Sequence, residues 1–155
     1  LLGCGSVVLG SAEVAGRFLA QVVESNDPAG AVKALRAEKK AIPGFGHPQH
    51  SEGDPRANLL LKLAKDHAIE GPHIAALYAI QAALPGAIGR SLPINVNGAI
   101  MLDVGFPLAA LKGISLLART ASLIGHLQEE TERPIGFIMS GAAAAAIDYD
   151  GPQHA

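Results

Sequence analysis

One piece of punctuation recurs through the first half of the chain: Asp27-Pro28, Asp54-Pro55 and Gly71-Pro72. Proline has no amide N–H and holds φ near about −65°, so it suits the first helical position, where the N–H lacks an intrahelical partner. An aspartate before it can accept from the exposed amides of that turn. Behind each pair the apolar residues follow helical spacing: Leu59, Leu60, Leu63 and Ala64 after Pro55, then Ile74, Leu77, Tyr78 and Leu84 after Pro72. A chain punctuated this way is committed to helices.

The remaining stretches agree. Ser11 is a plausible N-cap for a helix through Ala12 to about Val23, with Val14, Phe18, Leu19 and Val22 on one face. Ser25-Asn26-Asp27-Pro28 ends it and starts a short helix that leaves through the basic run Arg36, Lys39 and Lys40. Asn95-Val96-Asn97-Gly98 opens another short helix ending near Gly105. Leu108–Glu132 is the longest, with Leu111, Ser115, Leu117 and Ile124 as inward candidates. Ile42 to Gly53 and Pro85 to Pro93 are loops, and no strand pattern or internal repeat emerges. The expected class is all-α. A composition 49% hydrophobic but only 4% aromatic implies closely packed helices rich in Ala, Leu, Ile and Val.

Charge and cysteine content narrow the function classes. A net charge of −2 without a basic stripe gives no nucleic-acid footprint. The single cysteine, Cys4, allows no internal disulfide and suits a reducing compartment, so the expected location is cytoplasmic. No membrane association is expected, because no apolar run reaches the roughly 18 residues a span needs. The chain opens at Leu1 with no basic n-region, which reads as a boundary inside a longer protein.

Unusual residues gather at three places. In Pro43-Gly44-Phe45-Gly46-His47, two glycines flank an aromatic and let the backbone approach a ligand. Arg56 follows in the first turn of the next helix, where the helix dipole already favours anions. Together they suit a carboxylate, although a surface histidine and an ion-paired arginine explain the same residues. His47, His50, Asp54, His67 and His73 invite a metal reading, but Pro48 splits the first pair and no helical ligand spacing supports it, so no metal is expected. Gly44-x-Gly46 lacks the third glycine and the strand of a dinucleotide fingerprint. Asn95 to Gly98 reads as a capped turn. Arg119, set among small apolar residues, needs a partner if buried: a protein carboxylate or an anionic ligand.

Pro43 to His47 with Asp54-Pro55-Arg56, then Asn95-Val96-Asn97-Gly98, then Ala118-Arg119-Thr120, resembles the ordered motif series of the citrate synthase family. Leu123-Ile124-Gly125-His126-Leu127 and the opening Leu1 to Glu13 lean towards its citryl-CoA lyase branch, including the lyase module of ATP-citrate lyase. The resemblance implies a citrate synthase-like helical fold, C-terminal part, in a homodimer. It places 1–11 at the end of a large-domain segment, 12–100 in the small domain, and 101–155 in a returning large-domain helix and tail. The implied reaction is cleavage of citryl-CoA to oxaloacetate and acetyl-CoA, or the reverse condensation, with acyl-CoA and a di- or tricarboxylate as ligands.

Residue by residue, the resemblance makes His47 the group that exchanges a proton with the acid's oxygen. It makes Arg56 and Arg119 carboxylate clamps, and sets Pro43, Gly44, Phe45 and Gly46 against coenzyme A. Lys39 and Lys40 are candidates for its phosphates. Two positions depart from the pattern. A family histidine falls at Val8, which the lyase branch replaces from an upstream segment, and the family aspartate falls at Asn97. An amide hydrogen-bonds an enolate but is no general base near neutral pH. The alternative is therefore a catalytically degenerate member that binds coenzyme A or a dicarboxylate as a sensor or partner subunit.

Overall fold

The computed structural model describes residues 9–46, 53–84, 96–148 and 150–151. Seven α-helices are present among them: α1 (Ser11–Ser25), α2 (Pro28–Ala37), α3 (Pro55–Asp66), α4 (Pro72–Ala83), α5 (Val96–Asp103), α6 (Leu111–Glu132) and α7 (Gly136–Ala146), with a 3₁₀ turn at Leu108–Ala110. No strand occurs among the described residues. The chain divides into two compact units, Leu1–Leu116 and Leu117–Ala155.

In the first unit the proline punctuation works as its chemistry requires. Asp27 Oδ1 accepts from Gly30 N at 2.8 Å, and Asp54 Oδ1 from Arg56 N at 2.9 Å, each capping a helix that starts at proline. Helix α1 begins one residue earlier than expected: Gly10 occupies the cap position, and Ser11 is the first helical residue. It ends at Asn26, whose left-handed conformation (φ 51°) lets its N–H reach Val22 O at 2.9 Å.

The core is aliphatic. Phe18, Leu19 and Val22 of α1 meet Val32 of α2, Ile74, Leu77 and Ile80 of α4, and Val96 and Ala99 of α5. Leu19, Leu77 and Ile80 are at most 1% exposed, and full burial of such side chains is worth roughly 1.5–3 kcal/mol each. Helix α5 packs on α1, α3 and α4. Its crossing with α1 is tight at Gly98, where a Cβ would stand 3.0 Å from the backbone oxygen of Ala12 and 3.5 Å from Gly16 N. Glycine is needed there for proximity.

Several expected core positions face outward. Val14, Tyr78, Leu117 and Ile124 are exposed, as are Leu59, Leu60 and Leu63 on α3, where Ala64, as expected, and Ala57 are the buried residues. On α6 only Leu111, in its first turn, is fully buried. The stretch Leu108–Glu132 is long and apolar enough, by length and composition, to cross a membrane. That corrects the expectation of no such run: before Glu129 only Lys112 and Arg119 are charged, too few to offset its leucines, isoleucines and alanines.

In the second unit, α7 arises where no periodicity announced a helix. Its alanine run has the highest intrinsic helix propensity. Glu130 caps its start, accepting from Ile135 N at 3.0 Å and Gly136 N at 2.9 Å.

Candidate functional site

The glycine turn is built as an open backbone platform. Ile42 O accepts from Phe45 N at 3.1 Å, and the side chains of Ile42 and Phe45 both enter the core. Phe45 therefore anchors the turn, and any contact it makes with a ligand comes from its backbone. Gly44 and Gly46 have φ of 89° and 85°, a region that side chains rarely tolerate. A Cβ on Gly46 would meet nothing within 4 Å, and the residue is exposed. Lys40 is engaged at the surface with Glu38 at 2.6 Å, and that hydrogen bond and charge raise the lysine above its usual range. His47 lies outside the described residues, as do Val8 and Asn95.

Arg56 sits one residue inside α3 and folds back on its own cap. Asp54 is 2% exposed and receives Arg56 Nε at 2.9 Å on Oδ1 and Nη2 at 2.7 Å on Oδ2. The hydrogen bonds first, and the charge of Asp54 second, raise the guanidinium above its ordinary value. The arginine side chain itself remains 65% exposed. The ion pair foreseen as the plain explanation of Arg56 is thus present, and it also fixes where the guanidinium stands.

Asn97 is held in a different manner. It lies in the first turn of α5 between Val96, fully buried, and Gly98, pressed on α1. Its Oδ1 is buried and has no hydrogen-bond partner among the described residues. A half-turn of the amide would put Nδ2 in the same place, so one buried end of the group lacks a partner either way. An orphaned buried polar atom costs about 1–3 kcal/mol unless a ligand or water satisfies it.

Asp103, at the far end of α5, is bound to the start of α4. Its carboxylate, 1% exposed, accepts from His73 N at 3.0 Å and Ile74 N at 2.9 Å and lies 2.7 Å from His73 Nδ1. Sequence reading missed this cluster. The available signal was that Gly71 offers α4 no capping side chain, while Asp103 is the single acidic residue between Glu70 and Glu129.

Arg119 belongs to the second unit and is exposed, and its side chain makes no hydrogen bond or ion pair among the described residues. The same unit holds a recess of about 580 Å³ at the α6–α7 elbow, lined by His126, Glu129, Glu130, Arg133 and Met139 among others. His126 Nδ1 lies 2.8 Å from Glu129 Oε2 there.

Residues 5–136 match the family described as citrate synthase, C-terminal domain. Among solved structures, the chain is similar to the citryl-CoA lyase from Hydrogenobacter thermophilus, at 25% sequence identity and a TM-score of 0.75. The match covers 99% of this chain and 62% of that one, so this chain spans less than two thirds of the lyase's length. Among curated protein sequences none matches.

Proposed function

This chain belongs to the citrate synthase family, and on that premise we propose that it is the acid- and coenzyme-holding part of a carbon–carbon lyase that acts on citryl-CoA or a related acyl-CoA. The observation that carries the reading is the orphaned amide of Asn97, buried at the start of α5 in a fold like that of a citryl-CoA lyase.

Cleavage needs a base for the tertiary hydroxyl proton while a carbonyl forms, and stabilisation of the thioester enolate that leaves. His47 takes the hydroxyl proton in this scheme. Arg56, oriented by Asp54, and Arg119 grip carboxylates through the guanidinium fork. Asn97 offers its amide to the enolate oxygen. Pro43 to Gly46 carry the coenzyme along their backbone, and the full assembly is a homodimer. The acyl-CoA is substrate, and no resident cofactor enters the scheme.

The neutral side chain at 97 favours cleavage chemistry over condensation. Solvent can protonate a released enolate, whereas an amide cannot remove a methyl proton from acetyl-CoA, and loss of a general base costs about 10²–10⁴ in rate. Asn97→Asp should therefore speed deuterium loss from methyl-labelled acetyl-CoA in the presence of oxaloacetate. Exchange as brisk in the unaltered protein would assign the proton transfer to another base. The second reading, a binding-only member, draws on the same neutral Asn97. It predicts tight coenzyme A or dicarboxylate binding with no turnover in either direction.

A further inference from the structure

We infer that Asp103 is the positioning residue for Asn97, through a cap that ties the helix carrying Asn97 to the start of α4. The inference rests on the proposed role of Asn97 and adds a residue that touches no substrate.

The chain caps its other proline-started helices locally: Asp27 for α2 and Asp54 for α3, each next to its proline. Helix α4 differs. Its cap position is Gly71, and its first amides bond instead to a carboxylate about 30 residues away, on α5. The cradle is shaped for that group, since a Cβ on Gly71 would stand 2.3 Å from Asp103 Cγ. His73 closes it with Nδ1 at 2.7 Å. The carboxylate is 1% exposed, so the tie is shielded from water.

Helix α5 has 8 residues and is about 12 Å long at 1.5 Å per residue. Asn97 stands in its first turn and Asp103 at its last residue. One end is seated on α1 through Gly98, the other on α4 through Asp103. Among the described residues the buried end of the Asn97 amide has no hydrogen bond to hold it. Its place is therefore set by the helix, which is held by its core residues Val96 and Ala99 and, at its two ends, by Gly98 and the Asp103 tie. A displacement near 1 Å at a reacting group costs up to about 10²-fold in rate.

The test compares Asp103→Ala with the double variant Asp103→Ala/Gly71→Asp, in the full chain. Gly71 has extended backbone (φ −115°, ψ −178°) that any residue adopts, so the new aspartate restores a local cap to α4 without re-tying α5. Two quantities are read: kcat and KM for citryl-CoA cleavage, and the side-chain amide resonance of Asn97, identified by its loss in Asn97→Asp. Asp103→Ala should lower kcat about 10–100-fold with KM nearly unchanged, and should shift or broaden the Asn97 resonance. The double variant should regain thermal stability while kcat and the resonance stay altered. Recovery of kcat by the local cap would show that Asp103 merely caps α4 and would overturn the inference. So would an unmoved Asn97 resonance in Asp103→Ala. If the unaltered protein turns over no acyl-CoA, the lyase reading fails on its own, and the resonance still decides the positioning role.

Discussion

The carboxylate of Asp103 lies 2.7 Å from Nδ1 of His73, joining the last residue of α5 to the first turn of α4 across 30 residues of sequence. Three polar groups of α4 converge on it, two of them backbone amides. Asp103→Ala leaves those donors unpaired at a buried position and should lower unfolding free energy by about 1–3 kcal/mol. Urea denaturation measures this as a lower midpoint at constant slope. An unchanged midpoint would mean that water replaces the carboxylate without loss.

Gly98 makes a second prediction possible. Its missing side chain lets α5 lie on the α1 backbone, and the atom in the way of a Cβ is a main-chain oxygen at 3.0 Å. Backbone yields less readily than the tip of a side chain, so Gly98→Ala should destabilise by about 1–3 kcal/mol, well beyond the small gain in helix propensity. Thermal unfolding of the variant checks it. A stabilised variant would show that α5 is not packed this closely.

How far the sequence could be read depended on whether a feature was local. The starts at Pro28 and Pro55 were legible because cap and proline are neighbours and their chemistry is complete within four residues, whereas at Pro72 only the proline was local. Burial was less legible. Leu59, Leu60 and Leu63 fit a helical stripe, yet α3 buries Ala57 and Ala64, because close packing favours the smallest side chains. The Asp103 tie was invisible, since nothing near Asp103 announces a partner 30 residues away. Helix α7 was missed because an alanine run has no periodicity to detect, only propensity. At the site, the motif pattern singled out Arg56 and Asn97, but not that Asp54 holds the one or that the other is left without a partner.

Asp54 serves two purposes that can be separated. It caps α3 and orients Arg56. Asp54→Ala should cost about 1–2 kcal/mol of stability, mostly from the cap, because the arginine is 65% exposed and its ion pair is screened by water. Asp54→Ser should restore most of the stability and leave acid binding weakened, since a hydroxyl cannot hold the guanidinium. Calorimetric titration with citrate on both variants distinguishes the roles. Equal affinity in Asp54→Ser and the unaltered protein would remove Arg56 orientation from the account.

Glu130 gives the cap of α7 a pH dependence of defined sign. Hydrogen bonds from Ile135 N and then Gly136 N hold its carboxyl below the ordinary value of 4.5. A depressed folded value means that the cap is fully present above the unfolded value and is lost as pH falls through the folded one. The protection of the Gly136 amide, its exchange rate relative to the intrinsic rate at each pH, should fall on acidification below about pH 4.5, and Glu130→Gln should flatten that response. Exchange at Gly136 that ignores both would contradict the cap.

We propose that the full protein cleaves a carbon–carbon bond in a citryl thioester. The most direct measurement is oxaloacetate released from citryl-CoA by the full-length protein, followed through its reduction by a coupled dehydrogenase, with acetyl-CoA quantified in the same samples. The account predicts both products in equal amounts, with release sharply reduced by Arg119→Leu. Saturable binding of citryl-CoA with no oxaloacetate formed would contradict it, and would leave a protein that holds the acid and the coenzyme without breaking the bond between them.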